Sequence, residues 1–303
     1  MAGAGIREYK RRIRSVKNTQ QITKAMKMVS AAKLRRAQEA AEASRPYTET
    51  LQGTLARLAG VAYDVKHPLL EKREEVRKVG YVVITADRGL CGGYNSNLIK
   101  ATVAAVEEDD RNVDTGIVAV GRKARDYYRK RGGLDAEFVN LGDKISYADA
   151  REIGQFIMNA YENEEVDEVY VVYAKFINVL RQVPTIVKLL PIETPTAEQT
   201  EGQHLIDYIY EPSAEEILLT LLPRYVGSLI YNAMLEGKAS EHGARMTAMG
   251  NATDNAGEII ETLTLAMNKA RQAAITDEIL DIVGGAEALN KGGKERMANV
   301  TYG

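Results

Sequence analysis

Few residues in this chain have the type and spacing to do chemistry. The stretch ITADRGLCGGYNS, residues 84–96, runs a strand-like segment into a turn holding Gly89, Gly92 and Gly93. Glycine lets backbone approach a phosphate closely, and a helix start beyond it offers N–H groups to an anion, so the layout suggests a nucleotide site. The spacing argues against it. A dinucleotide fingerprint needs G-x-G-x-x-G, and this loop reads G-x-x-G-G; a P-loop needs Lys-Ser/Thr after its last glycine, where Tyr94 and Asn95 stand. The alternative is a tight strand-to-helix turn with Asn95 or Ser96 capping the helix, and with Asp87 and Arg88 free to pair with a neighbouring element or a partner. Cys91 is the only cysteine, so no internal disulfide and no zinc pattern can form. His67, His204 and His242 are isolated from one another in sequence, and the partner set that a metal site or triad needs is not apparent locally, so a surface or packing role is expected for each. The chain is expected to hold no catalytic residue, metal or cofactor.

The elements that would position such a loop are read from periodicity. None of the seven prolines lies in 1–45 or in 224–303, which is compatible with a long helix at each end. Ile6, Tyr9, Ile13 and Val16 follow a coiled-coil 3,4,3 spacing; the apolar positions then shift to Ile22, Met26 and Val29, a drift that a nearly straight helix produces. Arg45 precedes Pro46, so a kink or an end is expected there. At the other end Ser213 and Glu216 form an S-x-x-E capping box ahead of an apolar stripe from Leu218, Leu221, Tyr225 and Leu229 to Met246, Met249, Ile260, Leu263, Met267 and Ile279. Gly243, Gly250 and Gly257, seven apart, either share a small-residue face that would let a partner helix approach or are simply tolerated by the helix backbone. Rods of about 60 and 110 Å, each with one apolar stripe, are most economically buried against each other, antiparallel.

Between them, Val79–Thr85, Gly116–Val120 and Ala136–Val139 read as strands, and Asn95–Val106, Arg122–Arg131 and Tyr147–Tyr161 as helices. Val169–Ile177 and Val183–Leu190 read as a hairpin turning near Asn178. Alternation of this kind predicts an α/β sheet with the hairpin at an edge. The expected domains are 1–76, the N-terminal coiled-coil helix and linker; 77–207, the α/β domain; 208–287, the C-terminal coiled-coil helix; and 288–303, a flexible tail.

Charge sharpens the picture. The net charge is −2, yet residues 1–36 hold eleven Lys/Arg against Glu8 alone, while residues 189–223 hold seven acids and no Lys or Arg. The basic helix could contact nucleic acid phosphates, be a solvated face, or meet an acidic protein partner; no aromatics interleave with the charges to stack on bases, which disfavours the first. The N-terminus has no apolar signal core, and the most apolar window, Ile217–Leu235, is interrupted by Pro223 and Arg224, so a protein-buried helix is expected rather than a membrane span.

The two ends carry a resemblance. Ile6-Arg7 followed by Thr19-Gln20-Gln21-Ile22-Thr23-Lys24-Ala25-Met26-Lys27-Met28-Val29, and ITDEILDIVGGAEA with Ile275, Thr276, Glu278, Asp281, Gly285 and Ala286, resemble the gamma subunits of F-type ATP synthases, as does the Asp87–Asn97 loop. The resemblance covers about 1–287. It implies an antiparallel coiled coil of the terminal helices plus a Rossmann-like α/β domain. The implied role is a non-catalytic rotor that couples turning of a membrane ring to successive states of the beta subunits. Partners implied are three alpha and three beta subunits, an epsilon subunit and a membrane c-ring, with no nucleic acid and no lipid insertion, at the cytoplasmic side of a bacterial membrane. By the same resemblance Lys24, Met26, Lys27, Arg271, Gln272, Thr276 and Glu278 are partner contacts. Ala86 stands where the family commonly has Ser, and 288–303 exceed its usual ending. With one cysteine, the dithiol switch of chloroplast relatives has no counterpart.

Overall fold

The structure is a computed structural model; it describes the backbone of residues 2–61, 67–193 and 213–300, and side chains over 5–58, 67–193 and 213–287. The described chain divides into two compact units, residues 1–25 with 250–303, and residues 26–249. Two helices contribute to both: α1, Ala2–Val61, and α5, Ala214–Val300.

The larger unit is built on a five-stranded sheet. Its strands are β1 (Lys78–Ile84), β2 (Asp114–Val120), β3 (Leu134–Phe138), β4 (Glu168–Asn178) and β5 (Arg181–Leu190), in the order β3-β2-β1-β4-β5. The first four run parallel, with Val82 opposite Val118 and Val171, and β5 returns antiparallel as the predicted edge hairpin. β1 lies at the centre, so both its faces are buried and its sequence reads as a continuous apolar run. Alternation splits it: Val82 and Ile84 join one core, Val79, Tyr81 and Val83 the other.

Helices α2 (Tyr94–Glu107) and α3 (Arg122–Tyr128) cover the second core through Leu98, Ala124 and Tyr128. Helix α4 (Tyr147–Glu162), started by a complete Ser146–Asp149 capping box, covers the first through Ile153, Ile157 and Tyr161. Onto that core also pack Leu51, Leu55 and Leu58 of α1 and Leu218, Leu222, Val226, Ile230 and Met234 of α5. This part of α5 passes a length-and-hydropathy test for a membrane span, yet its four-residue repeat of fully buried side chains lies against the sheet.

Several expectations need correcting. The deepest line of α5 is Leu218, Leu222, Val226 and Ile230, one residue out of phase with the stripe read from Leu221, Tyr225 and Leu229, which are only half-buried; Ile279 is exposed. Helix α1 does not end at Arg45. Pro46 is exposed and removes a single backbone bond, while burial of Leu51, Leu55 and Leu58 holds the next turns in place. Helix α2 starts at Tyr94 with Gly93 as its N-cap, so neither Asn95 nor Ser96 caps it. Gly243 faces Phe176 and Val179 of the β4–β5 hairpin rather than a partner helix, whereas Gly257 does face Gln20 of α1. Of the second capping box, Glu216 N–H donates to Ser213 Oγ at 3.2 Å. The backbone of the segment expected as a tail is helical to Val300; residues 194–212, within the acidic segment and including His204, lie outside the described residues.

In the smaller unit the start of α1 pairs antiparallel with the later part of α5. Thr23 and Thr253 share a hydroxyl hydrogen bond at 2.8 Å, and Gln20 Nε2 donates to Thr253 O at 3.4 Å. Ile6, Tyr9, Ile13 and Val16 are half-buried, as their spacing predicts.

Candidate functional site

The glycine loop is the first candidate. Its backbone turns through positive φ at Leu90 (61°) and Gly92 (57°). Asp87 does find the partners expected of it: its Oδ1 accepts from Arg122 N–H at 3.0 Å and Asn140 N–H at 3.3 Å, tying β1 to the ends of β2 and β3. Asn95 bridges back to the strand end, its Oδ1 accepting from Ala86 N–H at 2.9 Å and its Nδ2 donating to Cys91 Sγ at 3.1 Å. Cys91 is buried, which pushes its thiol pKa up and keeps it unreactive.

The far side of the loop is fastened to α5. Arg245 donates to Arg88 O at 3.4 Å and to Gly89 O at 3.3 Å, and pairs with Glu241 at 2.8 Å; Lys238 meets the same carboxylate at 3.0 Å. Tyr94 OH donates to Gly237 O at 3.0 Å. An open cleft of about 330 Å³ lies here, lined by Thr85, Asp87, Lys238 and Glu241 among others, but each of these is already engaged: Thr85 Oγ1 accepts from Ala124 N–H, and the three charged groups have the partners just given. The loop is a structural turn that docks on a helix; Asp87 and Asn95 face protein, whereas the Arg88 side chain is exposed.

His242 is buried beside this cluster, and burial lowers its pKa to about 4. The imidazole is therefore neutral near pH 7, and its 3.6 Å approach to the Asp143 carboxylate is a polar contact rather than an ion pair. Asp143 is held by Lys33 of α1 at 2.7 Å.

The second candidate is the helix pair. Beyond Val16 the α1 seam reads Thr23, Met26, Ser30, Leu34, Ala37, Ala41, Ser44, Thr48, Leu51, Leu55 and Leu58, a run of three- and four-residue steps; Ile22 and Val29, expected on the seam, are exposed. Apolar periodicity missed it because hydroxyls occupy four of its positions. In the larger unit Ser44 Oγ donates to Asn232 Oδ1 at 2.6 Å, Asn232 Nδ2 donates to Thr48 Oγ1 at 2.6 Å, and Thr48 and Ser228 hydroxyls meet at 2.7 Å. Hydrogen-bonded hydroxyls bury without the cost of an orphaned polar group, so they act as seam residues.

The residues singled out as contacts sit on this pair. Lys24, Lys27, Arg271, Gln272, Thr276 and Glu278 are exposed, and Met26 is half-buried. In the smaller unit, the register set by Thr23 and Thr253 puts Arg271 about 18 residues, or ~27 Å, along the axis from Lys24, so the structure does not gather them. From Ile275 to Glu287 every side chain of α5 is exposed, among them Ile275, Ile279, Leu280, Ile282 and Val283. Sequence reading placed Ile279 in a buried stripe; this wholly bare apolar stretch could have been found only from the register, which runs out of α1 near there.

Known proteins align with these features. The family model for ATP synthase matches residues 5–289. The ATP synthase gamma chain of Desulfitobacterium hafniense is 58% identical over 288 residues, covering 94% of this chain and 99% of the relative. That of Desulforamulus reducens is 55% identical over 287 residues, with the same coverage. Among solved structures, a chain of the Tetrahymena thermophila mitochondrial ATP synthase central stalk/c-ring has a TM-score of 0.59 at 26% identity, covering 76% of this chain and 99% of that one. A rotor chain of the Euglena gracilis mitochondrial enzyme has a TM-score of 0.64 at 22% identity, covering 90% and 99%, a likeness of fold. The match over nearly the whole length, together with the paired terminal helices flanking a five-stranded α/β layer, means that this chain belongs to the ATP synthase gamma chain family.

Proposed function

We propose that this chain is the central-stalk rotor of an ATP synthase and makes or breaks no covalent bond itself. The observation that carries the reading is the bare apolar stretch of α5 from Ile275 to Val283: a helix that exposes five large aliphatic side chains over three turns is built to be enclosed by another protein. A sleeve of three alpha and three beta subunits fits that need. An asymmetric rod inside a threefold sleeve presents a different face to each otherwise identical beta subunit. A contact surface shifts an equilibrium only through differential affinity, so the unequal faces set binding, synthesis and release in sequence as the rod turns.

On this reading Arg271, Gln272, Thr276 and Glu278 meet a beta-subunit loop, and Lys24, Met26 and Lys27 face acidic beta-subunit segments. Exposed ion pairs are each worth about 0–1 kcal/mol, weak enough to exchange as the rod turns. The α/β layer, with an epsilon subunit, stands on the membrane c-ring at the cytoplasmic side of a bacterial membrane, and ion flow through the ring drives it. No nucleic acid and no inserted lipid is involved.

The test is reconstitution. The purified chain should show no ATP turnover; mixed with alpha and beta subunits it should give turnover and rotation of a bead attached to the α/β layer. A chain that fails to enter a complex with alpha and beta subunits refutes the reading.

A further inference from the structure

Side-chain hydrogen bonds between the α/β layer and α5 concentrate within 237–247, where four residues of the helix take part; outside it, among the described residues, the exposed Tyr147 of α4 donates to Arg224 O at 3.4 Å. Tyr94 OH at the start of α2 donates to Gly237 O at 3.0 Å, and Ser240 Oγ donates to Ala174 O of β4 at 2.8 Å. Arg245 holds the glycine loop, and Thr247 Oγ1 donates to Val179 O in the β4–β5 turn at 3.1 Å. Ser240 is wholly buried, and Gly243 brings the helix backbone against Phe176, where an added Cβ would stand 3.2 Å from the ring. At 100° per residue, positions 237, 240, 245 and 247 share one side of the helix, yet they reach four separate places in the α/β layer.

Apart from that one bond, the earlier part of α5 meets the layer through apolar side chains: Leu218, Leu222, Val226 and Ile230 against Ile153, Ile157 and the strands. Apolar packing is non-directional and resists separation more than it resists sliding or turning in place. Hydrogen bonds are directional and weaken steeply when their angle is lost. We infer that the 237–247 seam is the torsional key of the rotor, the place where torque passes between the α/β layer and the helix pair, with Tyr94, Ser240 and Thr247 as its positioning residues. The inference rests on the rotor reading above and adds where within the chain its stiffness resides.

Arg245 is left intact in the test, because removing it would strip Glu241 of one of its two cations in a buried setting. The variant is Tyr94→Phe/Ser240→Ala/Thr247→Val, which keeps near-native volumes and deletes three hydroxyl donors. It is compared with Thr102→Val, which deletes a buried hydroxyl inside the α/β layer that makes no bond to α5: it donates to Leu98 O at 3.0 Å and lies beside Tyr128 of α3. Each is assembled with alpha and beta subunits, a bead is fixed to the α/β layer, and its angular variance is read in the catalytic dwell, where variance is inversely proportional to torsional stiffness.

With three of four directional constraints gone, the triple variant is expected to widen the angular variance about two-fold or more at unchanged ATP turnover, and Thr102→Val to leave it at the parent value. A triple variant with parental variance overturns the inference. Equal widening in Thr102→Val overturns it too, because softness would then follow any lost hydroxyl. If the parental chain carries no rotating bead, the rotor reading itself has failed, a result distinct from either.

Discussion

Gly121 closes β2 and opens α3 with φ 98° and ψ 146°, a conformation open essentially to glycine alone. A Cβ built there falls well inside contact distance of Thr85 O and 2.8 Å from Thr85 C, both backbone atoms of the neighbouring strand end. Gly121→Ala therefore forces two changes. The backbone conformation costs about 1–3 kcal/mol. Thr85 must also move away, and with it the bond from Thr85 N–H to Val120 O at 2.8 Å, the bond from Ala124 N–H to Thr85 Oγ1 at 2.9 Å, and the Gly121 N–H to Phe138 O bond at 2.8 Å. At about 1 kcal/mol for each bond weakened, the expected loss is roughly 4–6 kcal/mol, a large part of a typical 5–15. Two other glycines separate the contributions. Gly132 has φ 88° but open space around its missing Cβ, so Gly132→Ala should cost only the backbone preference, about 1–2 kcal/mol. Gly53 lies inside α1 with nothing near, so Gly53→Ala should stabilise by roughly 0.5–1 kcal/mol. Urea unfolding followed by tyrosine fluorescence orders the three, the chain having no tryptophan to mask that signal. If Gly121→Ala costs no more than Gly132→Ala, the steric part of the reasoning is wrong.

Burial keeps His242 neutral in the fold with a pKa of about 4, against about 6.5 unfolded, so the unfolded chain takes up the proton first. Stability should fall by up to about 3 kcal/mol as pH drops from 6.5 to 4, and His242→Gln should flatten that slope; Glu241, Arg245, Asp143 and Lys238 face the ring and remain. Asn232→Ala strips Ser44 of its acceptor and Thr48 of a donor, and chemical denaturation should show a loss of about 1–3 kcal/mol; a loss under a few tenths would mean that solvent replaces the amide. Met26→Lys adds a charge between exposed Lys24 and Lys27 and should lower proton pumping per ATP hydrolysed by strengthening attraction to the sleeve; an unchanged ratio refutes this.

Much of the α/β layer was legible in the residues alone. The five strands and three covering helices lie within a few residues of where alternation and turn residues place them, because a central parallel strand must be apolar throughout and an edge hairpin must alternate. The terminal helices were legible as helices, and their antiparallel pairing followed from each having one face to bury. The glycine loop's failure to match a phosphate template was legible as well, since that depends on spacing.

What lay beyond the sequence was which side chains meet. The seam at Thr23, Ser30, Ser44 and Thr48 is invisible to a hydrophobic pattern, because a hydroxyl counts as polar until a partner such as Thr253, Asn232 or Ser228 is placed opposite it. The one-residue phase error on α5 has the same origin: Leu218, Leu221 and Leu222 are alike in type, and only the position of the sheet decides which two turn inward. Likewise Gly243 and Gly257 look equivalent in sequence, yet one meets a hairpin and the other a helix. Local propensity and periodicity act over a few residues and so are written along the chain. Register and docking depend on groups some 150–230 positions apart, and only the folded chain brings those together.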